Sequence, residues 1–143
     1  VNPGATEVCN SIDDDCDGSV DEGGVCAQNL PDLTGHWSLM KAKPIANGTQ
    51  WFVHGNLRVK NQGNANAGPF VIKFYYIPAE GGSPQLLQQR SLLGLLQGAT
   101  TNISFRKLYL SNPSGGSILA VIDATGTVAE SNETNNEFMR IVP

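Results

Sequence analysis

Apolar and polar side chains alternate from residue 32 onward, and this alternation is the strongest constraint on the fold. In the segment 51–59 the apolar positions are Trp51, Val53, Leu57 and Val59. A period of two is typical of a half-buried β-strand. Similar segments cover 33–40, 70–77, 86–93, 100–110, 117–123 and 138–142, and turns rich in Gly, Pro and Asn separate them. The pattern predicts an all-β, antiparallel two-sheet sandwich of about seven strands over 31–143.

Residues 1–30 have a different composition and form a separate segment. Residues 1–31 contain seven acidic residues and no Lys or Arg, whereas 32–143 contains six acidic and nine basic residues. The segment has few large apolar side chains, so a metal ion or a disulfide must order it. An acidic segment ahead of a mildly basic body argues against nucleic acid as a partner and indicates a bound cation.

The acidic segment contains the opening of an EF-hand calcium loop. Asp13, Asp15 and Asp17 occupy positions one, three and five, and Gly18 permits the sharp turn at position six. Further predicted ligands are the Ser19 backbone carbonyl, Asp21, Glu22 and Asn10. Oxygen ligands select a hard cation, and Ca²⁺ accepts irregular geometry better than Mg²⁺.

One position departs from the EF-hand pattern. Gly24 stands where the bidentate Glu of position twelve belongs. Asp21 or Glu22 would have to supply the missing oxygens from a shorter loop. The sequence therefore predicts weak binding, suited to the calcium concentration outside cells.

The three cysteines, Cys9, Cys16 and Cys26, all lie in this segment. Clustered cysteines in a short segment with little core indicate a disulfide in an oxidising, extracellular compartment. Cys9–Cys16 is the pair we expect, because it would clamp the start of the acidic loop. Cys26 then has no cysteine left to pair with among these three, so it is either a free thiol or paired with another chain.

The run from Glu7 to Gly23, EVCNSIDDDCDGSVDEG, resembles the short metal-binding repeat of bacterial MopE-type proteins. The resemblance implies metal binding, and the label of that family mentions copper. Residues 1–31 contain no His and no Met, so soft-metal ligands other than Cys are missing. We therefore expect the bound ion to be calcium, and this expectation rests on the ligand types in the segment and not on the family label.

The body resembles CARDB, the cell-adhesion-related domain found in bacteria. The residues that carry the resemblance are PDL at 31–33, VKNQGNA at 59–65, FYY at 74–76, Asp123 and ESNETNN at 130–136. The resemblance implies an immunoglobulin-like sandwich on an exported surface protein. Such a fold does not specify a ligand.

The acidic residues near the last strand allow two interpretations. Asp123, Glu130 and Glu133 would form either a second cation site or a structural turn in which polar side chains cap their own backbone. The sequence favours the turn.

The sequence indicates binding and structure, not catalysis. His36 and His54 show no spacing typical of a catalytic triad, and no apolar run is long enough to span a membrane. The first hypothesis is an extracellular, calcium-binding adhesion module on a cell surface. The alternatives are a self-assembling filament or sheath subunit, using strand exchange or an intermolecular disulfide, and an accessory domain that binds surface glycans.

Overall fold

The computed structural model describes residues 2–8, 10–23, 29–109 and 111–143. The alternating segments form seven strands, and the described residues contain no α-helix. The strands are β1 (Leu33–Ile45), β2 (Gln50–Asn61), β3 (Phe70–Ile77), β4 (Gln85–Leu92), β5 (Thr100–Tyr109), β6 (Ser117–Val121) and β7 (Glu137–Ile141). A 3-10 turn, Ala46–Gly48, joins β1 to β2. The prediction of an all-β fold with seven strands is confirmed, and β1 runs five residues beyond its predicted end at residue 40.

The strands form two antiparallel sheets. One sheet has the order β1-β2-β5 and the other β4-β3-β6-β7. The two sheets contribute jointly to one buried core, in which Val53, Leu57 and Phe105 come from the first and Ile72 and Ile118 from the second. These are the alternate positions of their strands, which confirms that the apolar face of each sheet turns inward.

Trp37 is partly buried and packs against the core. Its ring lies 5.8 Å from that of Phe74 and 6.4 Å from that of Phe105, and the two phenylalanine rings are 5.4 Å apart. The indole Nε1 donates a hydrogen bond to the Phe138 carbonyl on β7, with a donor–acceptor distance of 2.9 Å. A tryptophan with its polar edge satisfied and its ring among other rings contributes to the packing between the two sheets.

Asn61 closes the end of the sandwich at which residues 29–32 enter. Its side chain is fully buried and makes four hydrogen bonds. Nδ2 donates to the carbonyls of Ala65 (2.8 Å) and Leu95 (3.0 Å), and Oδ1 accepts from the N–H groups of Asp32 (3.1 Å) and Gly63 (3.1 Å). One amide thus joins the start of β1, the turn after β2 and the loop before β5.

The chain just before β1 is held against the sandwich by backbone contacts. The Leu30 carbonyl accepts the Asn64 N–H (3.1 Å), and the Pro31 carbonyl accepts the Ser131 N–H (2.9 Å). A Cβ atom on Gly63 would lie 2.4–2.5 Å from the backbone of residues 30–32, so only glycine allows this approach. The junction behind the acidic segment is therefore a defined part of the fold.

Candidate metal site

The acidic segment winds through turns, with no strand or helix in residues 2–8 and 10–23. The N–H groups of Asn2 and Gly4 donate to the carbonyls of Asp14 (2.9 Å) and Asp15 (3.2 Å). Gly18 has a φ of 97°, in the region that glycine adopts without strain. The segment is therefore a compact loop that brings its carboxylates together.

The buried carboxylate of Glu7 organises this loop. Its Oε1 accepts the N–H groups of Asp14 (2.7 Å) and Asp15 (2.9 Å), and its Oε2 accepts that of Asp21 (3.0 Å). Glu7 is only 9% exposed. Sequence reasoning missed this residue, because the EF-hand pattern starts at Asp13. The one sequence signal for Glu7 was its place as the first residue of the run that resembles the MopE-type repeat.

Neighbouring N–H groups orient three of the predicted ligands. Gly18 donates to Asp13 Oδ2 (3.0 Å), Asp17 donates to Asp15 Oδ1 (3.1 Å), and Ser19 donates to Asp17 Oδ1 (2.8 Å). Each carboxylate bonds the backbone a few residues ahead, as Asp side chains do in tight loops. The contacts hold one oxygen of each carboxylate and leave the other available to a ligand.

Five carboxylates form two overlapping groups. Glu7, Asp13 and Asp15 make one group, and Asp15, Asp17 and Glu22 make the other. Within each group the three ligand oxygens lie within 4.8 Å of one another. Ca²⁺–O distances of about 2.3–2.6 Å place the oxygens around one ion at up to about 5 Å from each other. Asp15 belongs to both groups, so it is central to any ion held there.

Two oxygens at this site are shielded from solvent and lack a hydrogen-bond partner, Asp13 Oδ1 and Glu22 Oε2. Shielded carboxylate oxygens are normally paired, because leaving them unsatisfied costs free energy. Hydrogen bonding to the backbone lowers the Glu22 pKa, but desolvation and the charges of Glu7, Asp17 and Asp15 outweigh it, and the pKa is raised. A cation in either group would relieve the repulsion among its carboxylates and give a partner to the orphaned oxygen there, so the residues present fit a hard metal ion.

Two other predicted ligands are engaged elsewhere. The Asp21 carboxylate accepts the N–H groups of Asn10 (2.9 Å) and Ser11 (2.9 Å to Oδ2), and it belongs to neither acidic group. The Asn10 side chain accepts the Ile12 N–H (2.8 Å) and donates to Asp14 (3.0 Å). Both side chains brace the loop in this structure, and their coordination of a metal remains a prediction.

Of the three cysteines only Cys16 lies in the part of the chain that the structure describes. It is exposed and has no disulfide partner among the described residues. Cys9, Cys26 and position twelve, Gly24, lie outside the described residues. The Cys9–Cys16 pairing and a role for Cys26 between chains remain predictions.

The sequence predicted either a second cation site or a structural turn at Asp123, Glu130 and Glu133. In the structure each of these carboxylates accepts at least one backbone N–H group. Asp123 accepts the N–H groups of Thr127 (3.1 Å) and Val128 (2.9 Å). Glu133 accepts the Glu130 N–H (2.8 Å). Glu130 accepts from the Leu33 N–H and from Asn136 Nδ2 (2.7 Å). These contacts are those of a structural turn, and a cation site at these residues remains an alternative prediction.

Burial raises the pKa of the Glu130 carboxyl, although its hydrogen bonds to Leu33 and Asn136 oppose the shift. An acid whose pKa is higher in the folded than in the unfolded chain binds more protons when folded. Its contribution to stability is therefore greatest below the unfolded pKa of about 4.3 and declines as pH rises through the folded pKa. We expect the side-chain carboxyl carbon of Glu130 to titrate above the ordinary range by NMR. An ordinary or lowered midpoint would contradict this prediction.

The family of the chain follows from its sequence and is consistent with this fold. The CARDB family model matches residues 30–140. The chain belongs to the CARDB family. A second model, of the copper-binding MopE type and described as "Putative metal-binding motif", matches residues 1–22 ahead of the CARDB domain. No match was found among curated proteins.

Several solved structures share the fold. The CARDB domain of PF1109 from Pyrococcus furiosus, in complex with di-metal ions, has 21% sequence identity and a TM-score of 0.60, covering 80% of this chain and 94% of that one. The 272–376 domain of a "putative cell surface protein" from Methanosarcina acetivorans has 20% identity and a TM-score of 0.52, covering 79% and 90%. A Kluyveromyces marxianus β-glucosidase reaches a TM-score of 0.51 with 14% identity, and the match covers 77% of this chain but 14% of that enzyme.

Proposed function

We propose that this CARDB protein is an extracellular structural module of a cell-surface protein, and that its acidic loop binds calcium. The observation that carries the calcium proposal is the pair of shielded, unpartnered oxygens on Asp13 and Glu22. They belong to the two carboxylate groups that share Asp15. A site of carboxylate oxygens favours a hard cation over copper.

Three further features support the proposal of an extracellular module whose role is binding and structure, with no catalysis. His54 lies on a sheet whose three strands contain no Asp or Glu, so no carboxylate on those strands orients it as a base. The family is that of a cell-adhesion-related domain, and a domain described as that of a "putative cell surface protein" shares the fold. Among the described residues no helix combines the length and apolar character needed to cross a bilayer.

The acidic loop precedes the junction to the sandwich, and this place in the chain suggests a mechanical role for bound calcium. The junction at residues 30–32 is held against the sandwich by the turn after β2 and by Ser131, and the acidic loop lies only a few residues ahead of it in the sequence. A K_d of about 10⁻⁴–10⁻³ M with about 1 mM ion contributes only about 0.4–1.4 kcal/mol. That free energy is enough to order a short loop, and we propose that the ion stiffens the junction without folding the sandwich.

Titrating the metal-free protein with calcium tests the proposal. We expect amide resonances of residues 10–23 to shift with a K_d of about 10⁻⁴–10⁻³ M, and resonances of the seven strands to stay in place. Chelation should reverse the shifts and leave the sandwich folded. If saturating calcium moved no resonance of residues 10–23, the calcium site would be wrong.

Cys16→Ser is the matched control for copper. The Cys16 thiol lies in neither carboxylate group, so under reducing conditions this variant should bind calcium as the reduced wild type does. Under reducing conditions, Cu(I) should bind the wild-type loop no more tightly than it binds this variant. Loss of metal binding on removal of the thiol would point instead to a soft-metal site.

A further inference from the structure

The outer face of the β1-β2-β5 sheet carries a strong, one-sided charge. Five of the nine Lys and Arg residues of the chain lie on it: Lys41, Lys43, Arg58, Lys60 and Arg106. All five are exposed. The three strands contain no Asp or Glu at all. We name these five residues the basic face.

The pairing of the strands places the charges in rows across the sheet. Lys41 lies opposite His54, which lies opposite Arg106. Arg58 lies opposite His36 on β1. Opposing residues in a sheet point to the same side, so these groups face solvent together. The acid directly before β1, Asp32, already accepts hydrogen bonds from the side-chain amides of Gln62 (2.9 Å) and Asn135 (2.7 Å).

The basic face includes a concave part. A groove of about 400 Å³ opens at its end near residue 34, and its walls include His36, Arg58 and Lys60. A groove lined by two permanent cations and hydroxyl-bearing threonines suits carboxylate groups. Like charges brought together without acidic neighbours repel one another, and a bound polyanion would relieve that repulsion.

The complementary surface is present in the same molecule. The acidic loop segment has seven carboxylates and no Lys or Arg, and one bound divalent cation leaves five negative charges. We propose that the acidic segment of one copy of this chain docks on the basic face of a second copy. Each copy then offers one acidic and one basic surface, so the contact joins one copy to the next.

The length of the basic face favours a second copy over the chain's own segment. Lys43 is nine residues along β1 from Thr34, which corresponds to about 30 Å at the usual strand rise. The acidic segment is attached at the opposite end, where Leu30 and Pro31 are held against the sandwich. The segment of another copy has no such tether and can cover the far rows as well. The proposal depends on the charge of the segment and not on which cation it holds.

Sedimentation of the full chain at saturating calcium tests the proposal. At about 50 mM salt we expect the average mass to rise with protein concentration, and at about 500 mM salt we expect monomers, because salt screens exposed charges. A variant with Arg58→Glu, Lys60→Glu and Arg106→Glu should associate at least about tenfold more weakly. Its thermal unfolding, measured alongside, confirms that it is folded.

The matched control reverses three basic residues of the other sheet. Lys73→Glu, Arg90→Glu and Arg140→Glu change the net charge by the same amount on β3, β4 and β7, so this variant should still associate. Equal losses in both variants would show that only net charge matters and would overturn the proposal. A wild-type chain that stays monomeric at low salt would also overturn it.

Cross-linking of wild-type protein identifies the occupant of the basic face. Carbodiimide joins a carboxylate to a lysine amine without a spacer, and a mixture of isotopically heavy and light chains distinguishes contacts between copies from contacts within one. We expect mixed-label links from acids of residues 7–22 to Lys41, Lys43 or Lys60. Links within one label only would assign the face to the chain's own segment and overturn the proposal. The proposal would also be overturned if the protein stayed monomeric and bound polygalacturonate through the basic face, because the partner would then be an acidic polysaccharide.

Discussion

Replacing Asp15 with asparagine is expected to weaken calcium binding by about a hundredfold, because outer contacts alone change metal affinity by about 10–100-fold and Asp15 is a candidate ligand itself. Asp15 is the one residue that both carboxylate groups share. The amide keeps the size of the side chain and can still accept the Asp17 N–H, so the loop contacts survive while one negative charge is lost. Calcium titration followed by NMR or calorimetry measures the change.

Asp14→Asn is the matched control, since it is the same substitution one residue away. Asp14 belongs to neither carboxylate group and bonds Val8 (3.2 Å) and Asn10 (3.0 Å) instead. We expect its calcium affinity to fall by about tenfold at most, as for a residue that only orients ligands. Wild-type affinity in the Asp15 variant, or equal losses in both variants, would mean that the ion is held elsewhere.

Replacing Asn61 with alanine is expected to lower the free energy of unfolding by about 4 kcal/mol. Asn61 makes four hydrogen bonds from a fully buried side chain, each worth about 1 kcal/mol, and its loss takes the acceptor away from the N–H groups of Asp32 and Gly63. The turn after β2 and the entry to β1 would loosen together, because the same amide holds both. Urea unfolding followed by tryptophan fluorescence gives the free-energy difference.

Asn102→Ala provides the comparison for that measurement. Asn102 is exposed on β5 and lies opposite Arg58 on the outer face. Its replacement should change the free energy of unfolding by about 0.5 kcal/mol at most. If the two substitutions lowered the free energy of unfolding equally, the buried hydrogen bonds of Asn61 would contribute far less to stability than their number indicates.

The strands could be predicted from the sequence because their signal is local. Val53, Leu57 and Val59 alternate with polar residues along β2, and burying one face of a pleated strand requires that period. The predicted strand over 70–77 coincides with β3. The end of β1 could not be predicted, because residues 41–45 continue the strand only by pairing with β2. That pairing is a contact between segments, which local pattern does not reveal.

The candidate metal site shows the same division. Asp13, Asp15 and Asp17 follow a spacing that a calcium loop requires, and the structure places all three in the carboxylate groups. Glu7 could not be identified, because its role is to accept N–H groups from residues seven, eight and fourteen positions along the chain. A loop that bends back on itself leaves no periodic signal in the sequence.

The sequence by itself determined the fold class, the acidic loop and the family, since each depends on residue type and local spacing. Only the tertiary structure decided which strands are neighbours, with β5 beside β2 and β6 beside β3. That choice gathers basic residues from three separate segments onto one face, and it buries the Asn61 amide where three loops meet. The reason is physical: sheet pairing and side-chain burial depend on contacts between distant residues, and their free energy exists only once the whole core has assembled.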